Sequence, residues 1–371
     1  MSRGEGKRVN KIRVGVLAGG ASAERQISLA SGLQIAEQLP KDRYEVVMLD
    51  PLALMAHNPA LSDEQRALAQ RLVDPGAPPE ALPDRDRELP AQMQETMHRA
   101  SSALLSASAA LSPAGEGIDV AFVALHGPWG EDGRIQGVLE TFGIPYTGSG
   151  VLASALAMDK AMAKIVFTAA GLDVPQGAVV SSPDQRPGIA PPSVVKPVEN
   201  GSSVGVTMVD DAKDYPAAIT EALRYDRRAL VEERVSGTEL TVGVIGPDEA
   251  LQALPVIEIV PKRAFFDYRA KYDSGASLEI CPARVPAAVA ARVQDMAVRA
   301  HRALGCRAIS RADFIWSPAD DRIVILEVNT MPGMTANSLV PKAALVAGIS
   351  FPELVDRLVR WALPAEEPRR R

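Results

Sequence analysis

Short apolar runs separated by polar turns alternate with longer amphipathic stretches along this chain. Residues 11–17 and 44–49 predict strands, and the stretch between them predicts a helix that begins near Ser22 and ends near Leu39. Two strands joined by a helix form a βαβ unit, so the chain is expected to open on a parallel sheet. Residues 118–125 and 143–148 predict two further strands, and residues 151–170 predict one helix.

The second half of the chain predicts more strands than helices. Apolar runs predict strands at residues 193–196, 229–235, 239–245 and 254–260, and helices are predicted over 214–225, 286–304 and 350–361. Between residues 310 and 329, two apolar runs joined by the Asp320–Asp321 turn predict a hairpin. The predicted fold class is therefore α/β with a Rossmann-like parallel sheet first, and α+β in the C-terminal half.

Polar side chains recur at every second position of the predicted hairpin. Arg311 and Asp313 share one strand face, and so do Glu327 and Asn329. If the strands pair in register, two carboxylates and an amide oxygen meet beside one guanidinium. Such oxygen ligands suit Mg²⁺, which completes its shell with water and a nucleotide's phosphates. The alternative is a solvated face with ordinary salt bridges, and the spacing alone does not exclude it.

Several other polar residues could bind a ligand, but each of them also has a structural explanation. His126 ends a buried strand and precedes a glycine-rich turn, yet a single histidine is often structural. Lys160, Lys196 and the Gly/Ser loop at 201–205 can hold phosphate oxygens, although that loop lacks the Walker A pattern and also fits a plain hairpin turn. Glu24 lies in the first turn of the predicted helix, where the helix dipole alone favours a carboxylate.

Length, charge and cysteine content exclude several classes of protein. At about 150 residues per domain, 371 residues predict two or three domains. The chain is 47% hydrophobic and 23% charged with a net charge of −6, which argues against a nucleic-acid partner. No apolar run of membrane-spanning length occurs, the N-terminus lacks a signal-peptide core, and two cysteines are too few for a disulfide framework. A cytoplasmic protein is expected.

Seven motifs follow one another and cover nearly the whole chain outside residues 52–116. They are Gly19–Arg25 (GGASAER), Leu125–Gly133 (LHGPWGEDG), Met158–Lys160 (MDK), Val195–Pro197 (VKP), Gly201–Gly205 (GSSVG), Asp267–Tyr272 (DYRAKY) and Glu327–Met334 (EVNTMPGM). In this order they resemble the D-alanine–D-alanine ligases of the ATP-grasp superfamily. The resemblance implies an N-terminal domain at 1–154 with a peripheral insertion at 52–116, a central subdomain at 155–238 and a C-terminal subdomain at 239–371.

The resemblance also implies ATP, two Mg²⁺ or Mn²⁺ ions and D-alanine as ligands. Phosphates would be held by Lys160, Lys196, Ser202, Ser203 and Lys271, adenine by Glu232, Glu233 and Val235, and ribose by Glu239. The metal ligands would be Asp313, Glu327 and Asn329. The first D-alanine would be bound by Glu24 and His126, and the second by Ser338 and the N–H group of Leu339.

Catalytic roles are implied in the same way. Arg311 and the N–H group of Gly333 would stabilise an oxyanion, and Glu24, Ser202 and Tyr272 would close a loop over the site. The Lys271–Tyr272 pair favours a dipeptide product over a D-alanyl-D-lactate product. A homodimer is common in the family. Two alternatives stay open: a related ligase with another acceptor, and a protein that binds ligands without catalysis.

Overall fold

The structure, a computed structural model, describes residues 11–20, 24–51, 63, 117–127, 129–201, 204–261 and 277–364. Most of the predicted insertion at 52–116 lies outside these residues, as do Ser202, Ser203, Lys271 and Tyr272. Within the described residues, no helix is long and apolar enough to cross a membrane.

The N-terminal sheet has strand β1 at its centre. Both of its neighbours run parallel to it, with α1 as the crossover between β1 and β2, so the predicted parallel sheet is confirmed. The elements are β1 (Ile12–Leu17), α1 (Arg25–Gln38), β2 (Tyr44–Leu49) and β3 (Val120–Val123). The strand predicted over 143–148 is reduced to a single bridge between Tyr146 and Ala121, because glycines with positive φ lie at both ends of the segment.

Three helices follow; the first was not predicted from the sequence, and the other two replace the single helix predicted over 151–170. They are α2 (Arg134–Thr141), α3 (Val151–Met158) and α4 (Lys160–Ala169). The long helix breaks at Asp159, whose backbone is extended and whose carboxylate accepts a hydrogen bond from the Met162 N–H group at 2.9 Å. An aspartate in this position caps a new helix, so α4 starts as a separate helix with Lys160 as its first residue.

The central sheet is antiparallel, with strand order β4-β7-β5-β6. Its strands are β4 (Gly177–Val180), β5 (Ser193–Pro197), β6 (Thr207–Val209) and β7 (Ala229–Glu233). Helix α5 (Tyr215–Ala222) packs on one face, where Ile219 and Val231 are fully buried. The loop between β5 and β6 carries the predicted phosphate-binding glycines.

The C-terminal sheet has the order β11-β10-β8-β12-β13, and β9 pairs with β8. Its strands are β8 (Thr238–Gly246), β9 (Gln252–Ala253), β10 (Ile257–Pro261), β11 (Ser277–Ile280), β12 (Ala308–Ser317) and β13 (Arg322–Asn329). Helix α6 (Ala287–Leu304) covers one face together with α3 and α4, and Phe167 of α4 is fully buried in that layer.

The last two helices join the N-terminal and C-terminal sheets. Helices α7 (Leu339–Val346) and α8 (Phe351–Ala362) share one core with β1, β3 and β12. Leu354 and Val359 of α8 are fully buried there, and the Tyr44 hydroxyl donates a hydrogen bond to the Asp356 carboxylate at 2.7 Å. This packing brings the segment after β13 onto α1, where the Ala336 N–H group donates to the Gln34 side chain at 2.7 Å.

Candidate active site

The hairpin of β12 and β13 pairs in the predicted register. Arg311 lies opposite Asn329 and Asp313 lies opposite Glu327, with a bulge directly after Asp313. Residues opposite each other in an antiparallel pair point to the same face, so all four side chains share one patch. The predicted hairpin is confirmed; the chemical role of each residue stays a prediction.

Asp313 is the most constrained member of this patch. Arg311 grips its carboxylate with two parallel hydrogen bonds, Nε to Oδ1 and Nη2 to Oδ2, both at 2.9 Å. The Thr241 hydroxyl of β8 adds a third hydrogen bond to Oδ1 at 2.6 Å. These contacts fix the carboxylate on a rigid strand, as a metal ligand requires.

The donor set of the hairpin fits a hard divalent cation. Asp313, Glu327 and Asn329 offer oxygen atoms only, and Asn329 Oδ1 accepts the Met331 N–H group at 2.8 Å, which orients the amide. Among the described residues no group of three His, Cys, Asp or Glu side chains could hold a metal by itself. Two carboxylates and an amide therefore need water or phosphate oxygens to complete a shell, which is how Mg²⁺ binds beside nucleotides.

Helix α4 directs two lysines at carboxylates of two different sheets. The Lys160 ammonium donates to the Asn200 carbonyl at 2.5 Å and lies 3.4 Å from Glu327 Oε2. One turn later, Lys164 forms an ion pair with Glu232 of β7. Glu232 also binds the Lys196 ammonium at 2.6 Å through its other oxygen. Sequence analysis missed Lys164; its spacing of four residues from Lys160 was the available signal.

Burial and ion pairing have opposite effects on the pKa values of Lys164, Lys196 and Glu232. Burial lowers the pKa of Lys164 to about 8, although the Glu232 charge opposes the shift. Burial also opposes the charged form of Lys196, but Glu232 and Glu327 outweigh it and raise the pKa. For Glu232, burial is outweighed by the two ammonium groups, so the pKa of this carboxyl is lowered. All three groups are therefore held in their charged forms at neutral pH.

The predicted adenine region lies at the end of β7 and the start of β8. The Glu233 carboxylate accepts the Gln176 N–H group at 3.0 Å and pairs with Arg322 of β13 at 2.9 Å. This side chain therefore links the central and C-terminal sheets, and its role in adenine binding stays a prediction. Val235 precedes β8 and Glu239 is the second residue of β8; both are half-buried.

The predicted amino-acid end of the site brings Glu24 and His126 together. Glu24 is the N-cap residue of α1, so the prediction that it lies inside the first turn of the helix is wrong. A methyl group added to Gly201 would lie 3.8 Å from Glu24 Oε2, so the glycine loop and this carboxylate are neighbours. His126 Nδ1 lies 3.3 Å from Glu131 Oε1 and Nε2 lies 3.4 Å from the Ser31 hydroxyl.

His126 has its charged form favoured by acidic neighbours. Burial disfavours the imidazolium, but the hydrogen bond that His126 Nδ1 donates to the Glu131 carboxylate and the charges of Glu131 and Glu24 raise the pKa of His126. Sequence analysis had assigned Glu131 no role. Its position five residues after His126 in a glycine-rich turn was the only indication.

The other side of the amino-acid end is formed by the segment after β13. The Ser338 hydroxyl lies 2.8 Å from the Thr335 hydroxyl and accepts the Thr335 N–H group at 3.1 Å. A methyl group on Gly333 would lie only 3.0 Å from Ser338 Oγ, so a glycine allows this close approach. Ser338 precedes α7, and Leu339 is its first residue, so the N–H groups of its first turn can bind a carboxylate.

Comparison with known proteins decides the family. A family model described as the D-ala D-ala ligase N-terminus matches residues 13–149, and one described as the D-ala D-ala ligase C-terminus matches residues 184–360. The D-alanine–D-alanine ligase of Syntrophobacter fumaroxidans is 44% identical over 363 residues, which cover 95% of this chain and 98% of that protein. The chain belongs to the D-alanine–D-alanine ligase family. The corresponding protein of Desulforudis audaxviator is 42% identical, with 94% and 98% covered.

Solved structures agree with this family. The D-alanine–D-alanine ligase from Bacillus anthracis has a TM-score of 0.67 and 29% identity, and the match covers 95% of this chain and 97% of that one. The VanG D-Ala:D-Ser ligase from Enterococcus faecalis has a TM-score of 0.74 and 27% identity, with 95% and 100% covered. The ATP-grasp fold, the D-alanine–D-alanine ligase family and the enzyme class predicted from the sequence are thereby confirmed.

Proposed function

We propose that this chain joins two molecules of D-alanine into D-alanyl-D-alanine, with ATP converted to ADP and phosphate, for peptidoglycan precursor synthesis. The observation that carries the proposal is the shared face of Arg311, Asp313, Glu327 and Asn329 on the β12–β13 hairpin. Identities of 40–44% to ligases of this name over nearly the whole chain support the substrates.

The first step is phosphorylation of the carboxylate of one D-alanine by the γ-phosphate of ATP. Phosphoryl transfer depends on positioning and charge neutralisation more than on covalent help from the protein. Lys160 and Lys196 supply positive charge toward the phosphates, and Asp313, Glu327 and Asn329 would hold Mg²⁺ or Mn²⁺. The metal neutralises charge on the phosphate oxygens when bound.

The second step is attack by the amine of the second D-alanine on the acyl phosphate, with release of phosphate. The carbonyl oxygen gains negative charge, which Arg311 and the Gly333 N–H group stabilise. Glu24 and His126 bind the first D-alanine, and Ser338 with the Leu339 N–H group binds the carboxylate of the second. The proximity of Gly333 to Ser338 supports this arrangement, because the oxyanion and the acceptor must lie side by side.

A phosphate-release assay distinguishes the acceptors. We expect phosphate release with D-alanine as the only amino acid, and the product to have the mass of the dipeptide. The likeness to a D-Ala:D-Ser ligase makes D-serine the sharpest competitor, and D-lactate tests a hydroxyl acceptor. The proposal is wrong if D-alanine alone gives no phosphate, or if a mixed product dominates when equal D-serine or D-lactate is added.

We also propose that the chain works in the cytoplasm as a homodimer. Cytoplasmic location follows from the use of ATP as a substrate. Exposed apolar side chains on or directly after three successive helices support a second copy as the partner: Phe142, which follows α2, Leu152 of α3 and Ile165 of α4 are 59%, 72% and 61% exposed. We expect light scattering on the purified chain to give twice the monomer mass of 39.4 kDa; a monomer at micromolar concentration would contradict this proposal.

A further inference from the structure

Lys164 is a buried lysine that the proposed chemistry leaves without a task. Its side chain is 9% exposed, and its partner Glu232 is 3% exposed. A buried ammonium is costly unless it is paired, so its presence at this place calls for a physical reason. Helix α4 contributes two lysines to the same region, and of these only Lys160 belongs to one of the seven motifs.

The pairing pattern around Glu232 supplies that reason. Lys164 binds Oε1 and Lys196 binds Oε2, so one carboxylate faces two ammonium groups. Lys196 is one of the two lysines, with Lys160, that are proposed to bind the phosphates of ATP. If Glu232 had no other counter-ion, its full charge would compete with those phosphates for Lys196. With Lys164 in place, two positive charges face one negative charge, and one positive charge remains for a polyphosphate.

We propose that Lys164 is a positioning residue of the nucleotide site, which neutralises and orients Glu232 so that Lys196 can bind the phosphates of a nucleoside triphosphate. The inference rests on the proposed function, in which Lys196 binds the phosphates, and on the prediction that Glu232 contacts adenine. Lys164 acts through these two residues and does not touch the nucleotide.

The electrostatics of the pair agree with this geometry. Burial lowers the pKa of Lys164 to about 8, and Glu232 is the main group that opposes the loss of its charge. Lys196 lowers the same pKa further, since two like charges face each other across the carboxylate. The charged form of each of the three groups therefore depends on the other two, and removal of one group changes the electrostatic environment of the others.

The competing explanation is a structural one. The ion pair also connects α4 with β7 of the central sheet, and a simple structural link would stabilise the fold without any effect on the nucleotide. The two explanations differ in what the loss of Lys164 changes. A link changes the melting temperature of the ligand-free chain, whereas a positioning residue changes the affinity for ATP and leaves the affinity for D-alanine alone.

The test measures ATP binding by calorimetry on the purified full chain, with Mg²⁺ present. We expect Lys164→Met to weaken ATP binding roughly tenfold or more, the effect of losing a charge-assisted contact. Lys164→Arg, which keeps the charge, should bind ATP within roughly threefold of the wild type. In the ligase assay, KM for ATP should rise while KM for D-alanine stays unchanged.

A matched control and a double variant complete the design. Lys213→Met removes an exposed lysine that pairs with Asp211, and should change nothing. If Lys164 acts through Glu232, the double variant Lys164→Met/Glu232→Gln should bind ATP no more weakly than Glu232→Gln alone. Wild-type ATP affinity in Lys164→Met, or additive losses in the double variant, would overturn the inference. A wild-type chain that binds ATP but releases no phosphate contradicts the proposed function and leaves this inference standing.

Discussion

Glu327→Gln is expected to abolish turnover, with kcat lowered by about three orders of magnitude or more. Glu327 faces Asp313 across the hairpin, and its Oε2 lies 3.4 Å from the Lys160 ammonium. An amide has nearly the same shape but no charge, so it cannot offset the positive charge of a metal or of the lysine. Phosphate release at saturating ATP and D-alanine, across a Mg²⁺ series, measures the effect.

The control for this substitution comes from the same sheet. Glu279 of β11 is 25% exposed and pairs with Lys342, while Glu327 is 26% exposed and pairs with Lys160. Glu279→Gln therefore makes the same chemical change in a similar environment, and we expect near wild-type kcat. Both variants should melt close to the wild type, since neither glutamate is buried. Normal turnover in Glu327→Gln at saturating Mg²⁺ would refute the metal role.

The hairpin that carries this prediction could be derived from the sequence. Its strand period places Arg311 with Asp313 and Glu327 with Asn329, and the Asp320–Asp321 turn leaves one sensible way to pair the two runs. The parallel arrangement of β1 and β2 followed equally well, because a helix between two strands returns the chain in the same direction. Both inferences depend on neighbours in sequence, where periodicity carries the information.

The break at Asp159 could not be read from hydrophobic periodicity. Apolar residues recur at helical spacing on both sides of it, so the pattern alone predicts one helix from 151 to 170. The break depends on a competition between continuing the helix and capping a new one with the Asp159 carboxylate. Arg228, 69 residues away in sequence, forms an ion pair with Asp159 at 2.7 Å, which favours the position of Asp159 at the break. That contact cannot be predicted from the local sequence.

Lys164 was missed for a related reason. A lysine four residues after Lys160 on an amphipathic helix is usually solvent-exposed, and nothing nearby in sequence offers it a partner. Only the tertiary fold brings Glu232 of β7 to it. The roles of Ser202, Ser203, Lys271 and Tyr272 still depend on family resemblance alone, because they lie outside the described residues.

Arg311 combines a fixed geometry with a proposed role beside the reacting groups. Its two hydrogen bonds to Asp313 use one edge of the guanidinium, and its side chain is only 14% exposed. These two hydrogen bonds fix the plane of the guanidinium, so its remaining N–H groups have a fixed direction. Charge that develops on the carbonyl oxygen in the second step would therefore meet a donor that is already oriented, which is the most effective form of electrostatic stabilisation.

Arg311→Lys is therefore expected to lower kcat by roughly 10²–10³-fold while KM for ATP changes little. Lysine keeps the positive charge and can still pair with Asp313, but it is a point charge and lacks the planar fork. Arg284→Lys is the matched control, because Arg284 grips Glu258 of β10 with the same two-bond geometry, at 3.0 and 2.7 Å, away from the hairpin face. Steady-state assays on both variants measure the difference. If Arg311→Lys keeps wild-type kcat, or if its loss lies entirely in KM for ATP, Arg311 does not stabilise the oxyanion and its role is limited to holding Asp313.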